Sequence, residues 1–200
     1  MKSRKLNARE VKVLLRDGFV NAPGFVSPVV MQDWLDYFPK HANGQFKKWN
    51  EHDPYEYFRP VHEQIARKPS EGRNIRSVMA PAMQSMGQSY SMHRDVFPWK
   101  NGEQCLFFIT VALNGCSSRE ESGELVLSPE SHLSRNRKHG YRRCPIPMTT
   151  GDVVVWHRFL IHGSRRNTTV HPMFRHHIAF SGKCRESLDV WAGWKMRPKK

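Results

Sequence analysis

Residues 151–164 read Gly151-Asp152-Val153-Val154-Val155-Trp156-His157-Arg158-Phe159-Leu160-Ile161-His162-Gly163-Ser164. A glycine turn signal opens this stretch, and two short runs of β-branched, aromatic and aliphatic residues follow it. Such runs predict strands at Val153–Trp156 and Phe159–His162. Strands this short indicate an all-β architecture for this part of the chain.

Working outward, further segments rich in β-forming residues begin at residue 75, and glycine-containing turn signals such as Asn101-Gly102, Asn114-Gly115 and Ser122-Gly123 separate them. Many short strands at this spacing indicate a sandwich, jelly roll or barrel. The additional predicted strands are Ile75–Ala80, Ser89–His93, Cys105–Leu113, Leu125–Leu127 and His176–Phe180.

The N-terminal part has helical periodicity instead. Ala8–Arg16 carries apolar residues at helical spacing and should end at Gly18. Ser27 is a candidate N-cap, with Pro28 at the first position of a second helix that runs to Phe38. We therefore expect one domain over 1–200: helices and an irregular, aromatic flap in 1–74, the β core in 75–182, and a basic tail in 183–200.

The composition limits the class of protein. No apolar run approaches the ~20 residues that cross a bilayer, and no apolar stretch follows the basic start, so we expect a cytoplasmic protein. Four widely spaced cysteines argue against a zinc ribbon or a disulfide framework. A net charge of +14 suits anionic partners such as nucleic acid, phosphorylated metabolites or acidic membranes, or it is simply a solvated surface.

A candidate metal site lies at the end of a predicted strand. In extended chain, residues i and i+2 share a face, so His93 and Asp95 can bind one ion while Arg94 points away. His162, on a late strand, supplies a third ligand. Two histidines and a carboxylate on one face of a metal leave positions open on the other, as in non-haem Fe(II) oxygenases.

The ordered set of motifs resembles the phytanoyl-CoA dioxygenase family of Fe(II)- and 2-oxoglutarate-dependent oxygenases, which implies a double-stranded β-helix, that is, a cupin-like jelly roll. Glu130 stands where the family has a turn glycine. The similar motifs are Arg16–Val20 with Pro23–Ser27, His93–Asp95, Gly123–Leu125, Pro129–His132, and Gly151-Asp152 through His162.

The co-substrate 2-oxoglutarate needs a cation for its far carboxylate, and a guanidinium suits it because it offers parallel donors. Arg175 begins a predicted strand that a hairpin turn through 165–170 would return beside His162, and Ser164 shares the face of His162. The resemblance assigns this role to an arginine and a serine in these places. Gln84 and Gln88 are candidates for a further co-substrate contact.

The resemblance also bears on the reaction. Family members that halogenate lack the carboxylate of the metal dyad, so the presence of Asp95 favours hydroxylation or a related oxidation such as desaturation. The remaining histidines, including His132, His157 and His177, have structural interpretations, although one of His176 and His177 should point inward.

The substrate is less constrained. Phe97 and Trp99 follow the dyad and are candidates for the substrate pocket. Arg135 and Arg142 belong to a segment with five cationic residues in nine, expected near the barrel mouth. A small anionic molecule is the first hypothesis, and a nucleic acid or another macromolecule docked on the basic surface is the second. Two other classes stay open: a zinc hydrolase and a non-catalytic basic module with a relict metal site.

Overall fold

In the computed structural model, the described residues are 2–41, 54–69, 82–95, 105–114, 123–133, 141–170 and 173–184. The helices are α1 (Ala8–Asp17), α2 (Pro28–His41) and α3 (Pro54–Ile65). The strands are β1 (Phe19–Ala22), β2 (Ala66–Pro69), β3 (Ala82–Gln84), β4 (Tyr90–His93), β5 (Cys105–Ala112), β6 (Leu125–Leu127), β7 (Cys144–Ile146), β8 (Val153–His157), β9 (His162–Ser164) and β10 (Met173–Cys184).

The helix ends follow the sequence signals. Asn7 caps α1 through a capping box with Glu10, and Gly18 ends the helix in the left-handed conformation. The second helix begins at Pro28, as predicted. Within the described residues, no helix has the length and apolar character needed to span a membrane.

The described strands form two antiparallel sheets. The first has the order β1-β8-β5-β10-β2, with β3 also paired to β10, and the second has the order β4-β9-β6-β7. Strands β1 and β2 come from the first 74 residues, so the N-terminal part contributes to the sheet as well as carrying the helices. The jelly-roll prediction is confirmed.

Alternation along β5 explains the two-layered core. Phe107, Ile109 and Val111 pack in one cluster with side chains from α1, α2 and α3. Phe108 and Ala112 point the other way, into a second cluster with residues of β6 and β7. The space between the two sheets is therefore lined by the inward residues of both, and this is where a ligand would sit.

One strand prediction was wrong. The apolar run Phe159–Ile161 is not the start of a strand, because β8 ends at His157 and β9 begins only at His162. The intervening residues turn the chain from the first sheet to the second while burying Leu160 and Ile161. Burial in a turn produces the same apolar signal as burial in a strand.

Glu130 adopts a left-handed backbone conformation of the kind that favours glycine. Its φ is 62°, and it is the sole non-glycine residue with positive φ among the described residues. Its backbone N–H donates to the carbonyl of Asp17 at 2.9 Å, which holds the turn against the end of α1.

Candidate active site

Strand pairing brings three side chains with metal-ligand chemistry together. His93 at the end of β4 is directly opposite His162 at the start of β9, and their rings lie 4.4 Å apart. The Nε2 atoms of His93 and His162 lie 3.4 and 3.5 Å from the two carboxylate oxygens of Asp95. One ligand atom from each residue lies within 4.8 Å of the others.

Backbone carbonyls fix the orientation of both imidazoles. Nδ1 of His93 lies 2.7 Å from the carbonyl of Ser91, and Nδ1 of His162 lies 3.0 Å from that of Leu160. A carbonyl only accepts, so each Nδ1 carries the hydrogen and each Nε2 lone pair is left for a metal. Burial lowers the pKa of His162, with a smaller opposing effect of Asp95, which favours the neutral imidazole that a metal requires.

The donor set fits Fe(II). Two imidazoles and one carboxylate are the ligands that non-haem Fe(II) sites use, and the three ligand atoms lie within 4.8 Å of one another, so these residues could hold one ion. Arg94 points away, as predicted, with its Nη2 donating to the carbonyl of Ser131 at 2.6 Å.

The triad opens onto a cavity of about 220 Å³ between the two sheets. In addition to the triad, polar or aromatic side chains from both sheets line it: Gln84, Tyr90, Trp156, Ser164, Arg175 and His177. Arg175 is the one Lys or Arg side chain among the described lining residues.

Arg175 reaches this cavity from the opposite sheet. It is 5% exposed, and its Nη2 donates to the carbonyl of Gly123 and lies 2.8 Å from the sulfur of Met173. The predicted hairpin with β9 was wrong, because β10 pairs with β5, β3 and β2, whereas β9 pairs with β4 and β6. The arginine therefore faces His162 across the barrel, as the crossover of a jelly roll requires.

Gly123 makes the contact with Arg175 achievable. Its φ is +69°, and a side-chain carbon there would lie 2.7 Å from the amide of Gln84. Both the backbone conformation and the close approach require glycine. The Gly123–Leu125 motif thus positions a carbonyl for the buried guanidinium.

The other predicted co-substrate residues occupy different positions. The hydroxyl of Ser164 accepts the backbone N–H of Tyr90 at 3.0 Å, so its own hydrogen is available for the cavity. Gln84 lies in the wall, but its Nε2 donates to the carbonyls of Gln88 and Arg165 at 2.7 and 2.6 Å. With both hydrogens engaged, Gln84 holds the loops together and has no N–H left for a carboxylate.

Gln88 lies outside the cavity lining, and its side-chain oxygen accepts the N–H of Ser85 at 2.9 Å. Phe97, Trp99 and Arg135 lie outside the described residues. Arg142 is exposed and precedes β7, the edge strand farthest from β4 in the second sheet. There it adds to the effect of Arg16 in lowering the pKa of Asp17. Arg142 is not among the described lining residues of the cavity, and its role toward the substrate stays a prediction.

Trp156 and His177 are among the lining residues that were not predicted from the sequence as site residues. The indole of Trp156 packs 4.3 Å from the ring of His162, and His177 lies two residues after Arg175 on the same face of β10. The i, i+2 spacing from Arg175 was the one available signal for His177. The contact of Trp156 depends on the turn between β8 and β9, which has no sequence signature.

The fold and the site together define a jelly-roll oxygenase of the Fe(II)- and 2-oxoglutarate-dependent class. The model of the phytanoyl-CoA dioxygenase (PhyH) family matches residues 36–176, and the chain belongs to this family. Comparison with curated proteins finds no significant match.

Solved structures of this fold have low sequence identity to the chain. The carbocyclase SnoK from nogalamycin biosynthesis, an α-ketoglutarate-dependent enzyme, superposes with a TM-score of 0.65 at 13% identity, over 88% of this chain and 84% of SnoK. A Pseudomonas putida prolyl-4-hydroxylase gives 0.63 at 12% identity, over 92% and 99%. The epimerase SnoN, in complex with Fe3+, α-ketoglutarate and nogalamycin RO, gives 0.62 at 15% identity, over 96% and 92%.

Proposed function

We propose that this protein binds Fe(II) through His93, Asp95 and His162 and uses 2-oxoglutarate and O2 to hydroxylate a C–H bond of a small molecule. The observation that carries the proposal is the convergence of three metal-ligand atoms on a cavity that also holds a buried arginine from the opposite sheet.

The charges in the cavity support 2-oxoglutarate as the co-substrate. When the charges of Fe(II), Asp95 and Arg175 are counted with a dianionic ligand, the cavity is neutral, which reduces the cost of burying each charge. Arg175 would bind the far carboxylate, and the Ser164 hydroxyl would donate to it. Trp156 and the core beneath it exclude water from the same space.

When bound, the metal and co-substrate supply the oxidation: O2 is consumed, 2-oxoglutarate becomes succinate and CO2, and a substrate C–H becomes C–OH. The contribution of the protein is orientation. Asp95 occupies a ligand position that a halide would need, which favours hydroxylation over halogenation. SnoK and SnoN are described as a carbocyclase and an epimerase, and identification of the product distinguishes hydroxylation from these two reactions.

The substrate hypothesis remains a small anionic molecule, guided by the +14 charge. Its attraction would come from the surface, since the described lining of the cavity offers the single cation Arg175 and the co-substrate would occupy it. A nucleic acid is the alternative, and salt separates the two. A polynucleotide contacts many cations, so its affinity falls steeply with salt, whereas a small acid depends on salt only mildly.

Metal analysis with a succinate-release assay tests the reaction class. We expect Fe(II)-dependent conversion of 2-oxoglutarate to succinate in air, and its loss in Asp95→Ala. A zinc hydrolase would release no succinate, whether it is loaded with zinc or with Fe(II). A relict binding module would bind neither iron nor 2-oxoglutarate.

A further inference from the structure

A row of hydrogen bonds runs beneath the cavity through Trp156, Thr110 and His177. The indole Nε1–H of Trp156 donates to the hydroxyl of Thr110 at 2.9 Å. The same hydroxyl oxygen lies 2.8 Å from Nδ1 of His177. Thr110 is fully buried, so these protein partners, and not bulk water, determine the position of its hydrogen.

The row accommodates the tautomer of His177 that has its hydrogen on Nε2. The indole N–H of Trp156 donates to one lone pair of the Thr110 oxygen, which leaves the hydroxyl hydrogen able to donate to Nδ1 of His177. With Nδ1 acting as the acceptor, the hydrogen of the neutral imidazole is on Nε2. In this tautomer the edge of His177 away from Thr110 carries an N–H donor, and His177 lines the cavity.

The register places this donor between Arg175 and the metal ligands. Arg175 is paired with Ala112 and His177 with Thr110 on β5. Phe108, on the same face of β5 as Thr110, is paired with Trp156. The ring of Trp156 packs against His162. His177 thus lies about 6–7 Å along β10 from Arg175, in the direction of the triad.

On the basis of the function proposed above, we propose that His177 is a further 2-oxoglutarate-binding residue, which donates its Nε2–H to an oxygen of the co-substrate, and that Thr110 is its positioning residue. The dianion of 2-oxoglutarate has acceptor oxygens and no donor, so it requires a site that offers donors. Arg175, Ser164 and His177 are three donors directed to one cavity, and both β10 residues lie on the same face.

The test is the dissociation constant for 2-oxoglutarate, measured anaerobically from the visible charge-transfer band of the Fe(II)-loaded protein. Removing a hydrogen bond to a charged group should weaken binding about tenfold or more in His177→Leu. His177→Gln can keep an N–H donor at similar reach and should stay within about threefold, since it retains the charge-assisted hydrogen bond.

A matched pair tests the row itself. Thr110→Val has nearly the same shape as threonine but lacks the hydroxyl, so it should weaken 2-oxoglutarate binding, whereas Thr110→Ser keeps the hydroxyl and should restore it. Co(II) binding and the unfolding midpoint serve as controls for folding and for an intact triad. A shift of the band position in His177→Leu would support a direct contact.

The outcomes separate the two proposals. If the wild-type protein gives no band, the proposed function fails. If the wild type gives the band and His177→Leu binds 2-oxoglutarate as tightly, this inference fails while the proposed function stands. Unchanged 2-oxoglutarate affinity together with lost turnover would assign His177 to the primary substrate, and would equally overturn the inference.

Discussion

The backbone of Tyr90 approaches Gly163 so closely that a side-chain carbon on the glycine would lie 2.7 Å from the Tyr90 carbonyl oxygen. Gly163 sits between His162 and Ser164, at the contact of β9 with β4. The absence of a side chain here lets the two strands, and with them His162 and His93, approach each other.

Gly163→Ala should therefore separate the strands and weaken metal binding. Overpacking at such a contact typically costs ~1–3 kcal/mol, and part of this should appear as a loss of Co(II) or Fe(II) affinity measured by titration. Gly24→Ala is the control for a destabilising substitution without overpacking. Gly24 has a φ of +59°, which strains an added side chain, but no atom lies within 4 Å of the added carbon. Equal metal affinity in wild type and Gly163→Ala would show that this contact does not set the triad.

Arg175→Ala should raise the 2-oxoglutarate requirement while leaving iron binding largely intact. Truncating one partner of a buried charge pair costs ~2–5 kcal/mol, which is about 30-fold or more in affinity. The measurement is the 2-oxoglutarate dependence of succinate release. Arg166→Ala, at an exposed arginine outside the cavity lining, is the matched control. The opposite pattern would move the co-substrate cation to Arg166.

Glu130→Gly should stabilise the protein. Glu130 has a φ of 62°, and this left-handed conformation costs a residue with a side chain ~1–2 kcal/mol. Glycine avoids this cost, but its greater conformational entropy in the unfolded chain offsets part of the gain. We expect a net gain of roughly 1 kcal/mol in the free energy of unfolding, measured by urea denaturation. Glu130→Ala, which keeps the strain and removes the carboxylate, should show no such gain. Equal gains in both variants would assign the effect to charge.

Acid should destabilise the fold through two buried histidines. Burial lowers the pKa of His132 to about 4, against smaller opposing effects of Leu15 and Asp17, and burial lowers the pKa of His157 well below its usual value. In the unfolded chain both titrate near ~6.5. Between these values the unfolded state binds protons that the folded state does not, so stability is complete above pH ~6.5 and falls as the pH decreases toward 4.

Denaturation of the metal-free protein at several pH values between 7.5 and 4 checks this dependence. His132→Gln removes one of the two groups, so its stability should fall less over the same interval, whatever its stability at pH 7.5. A pH dependence identical to that of the wild type would mean that the pKa of His132 is the same in the folded and the unfolded protein.

The sequence predicted the features that depend on local spacing. The end of α1 at Gly18, the start of α2 and the ligand dyad follow from residue types at fixed offsets, since a strand places His93 and Asp95 on one face. These positions agree with the structure because little beyond the local chain determines them.

What the sequence could not predict depends on which strands become neighbours. Arg175 reaches the cavity across the barrel and not through a hairpin, and the row from Trp156 to His177 joins three strands of one sheet through a register that no local pattern specifies. The use of Gln84 for two loop carbonyls likewise results from tertiary packing. Phe159–Ile161 shows the remaining difficulty, because burial alone does not distinguish a turn from a strand.

The most direct test of the account is an anaerobic titration of the Fe(II)-loaded protein with 2-oxoglutarate, monitored by visible absorption. The proposed site predicts a metal-to-ligand charge-transfer band that saturates at one co-substrate per chain, and that is absent when Asp95 and His162 are both replaced by alanine. A full band in that double variant, or no band in a wild-type protein that retains its iron, would contradict the assignment of His93, Asp95 and His162 as the iron ligands.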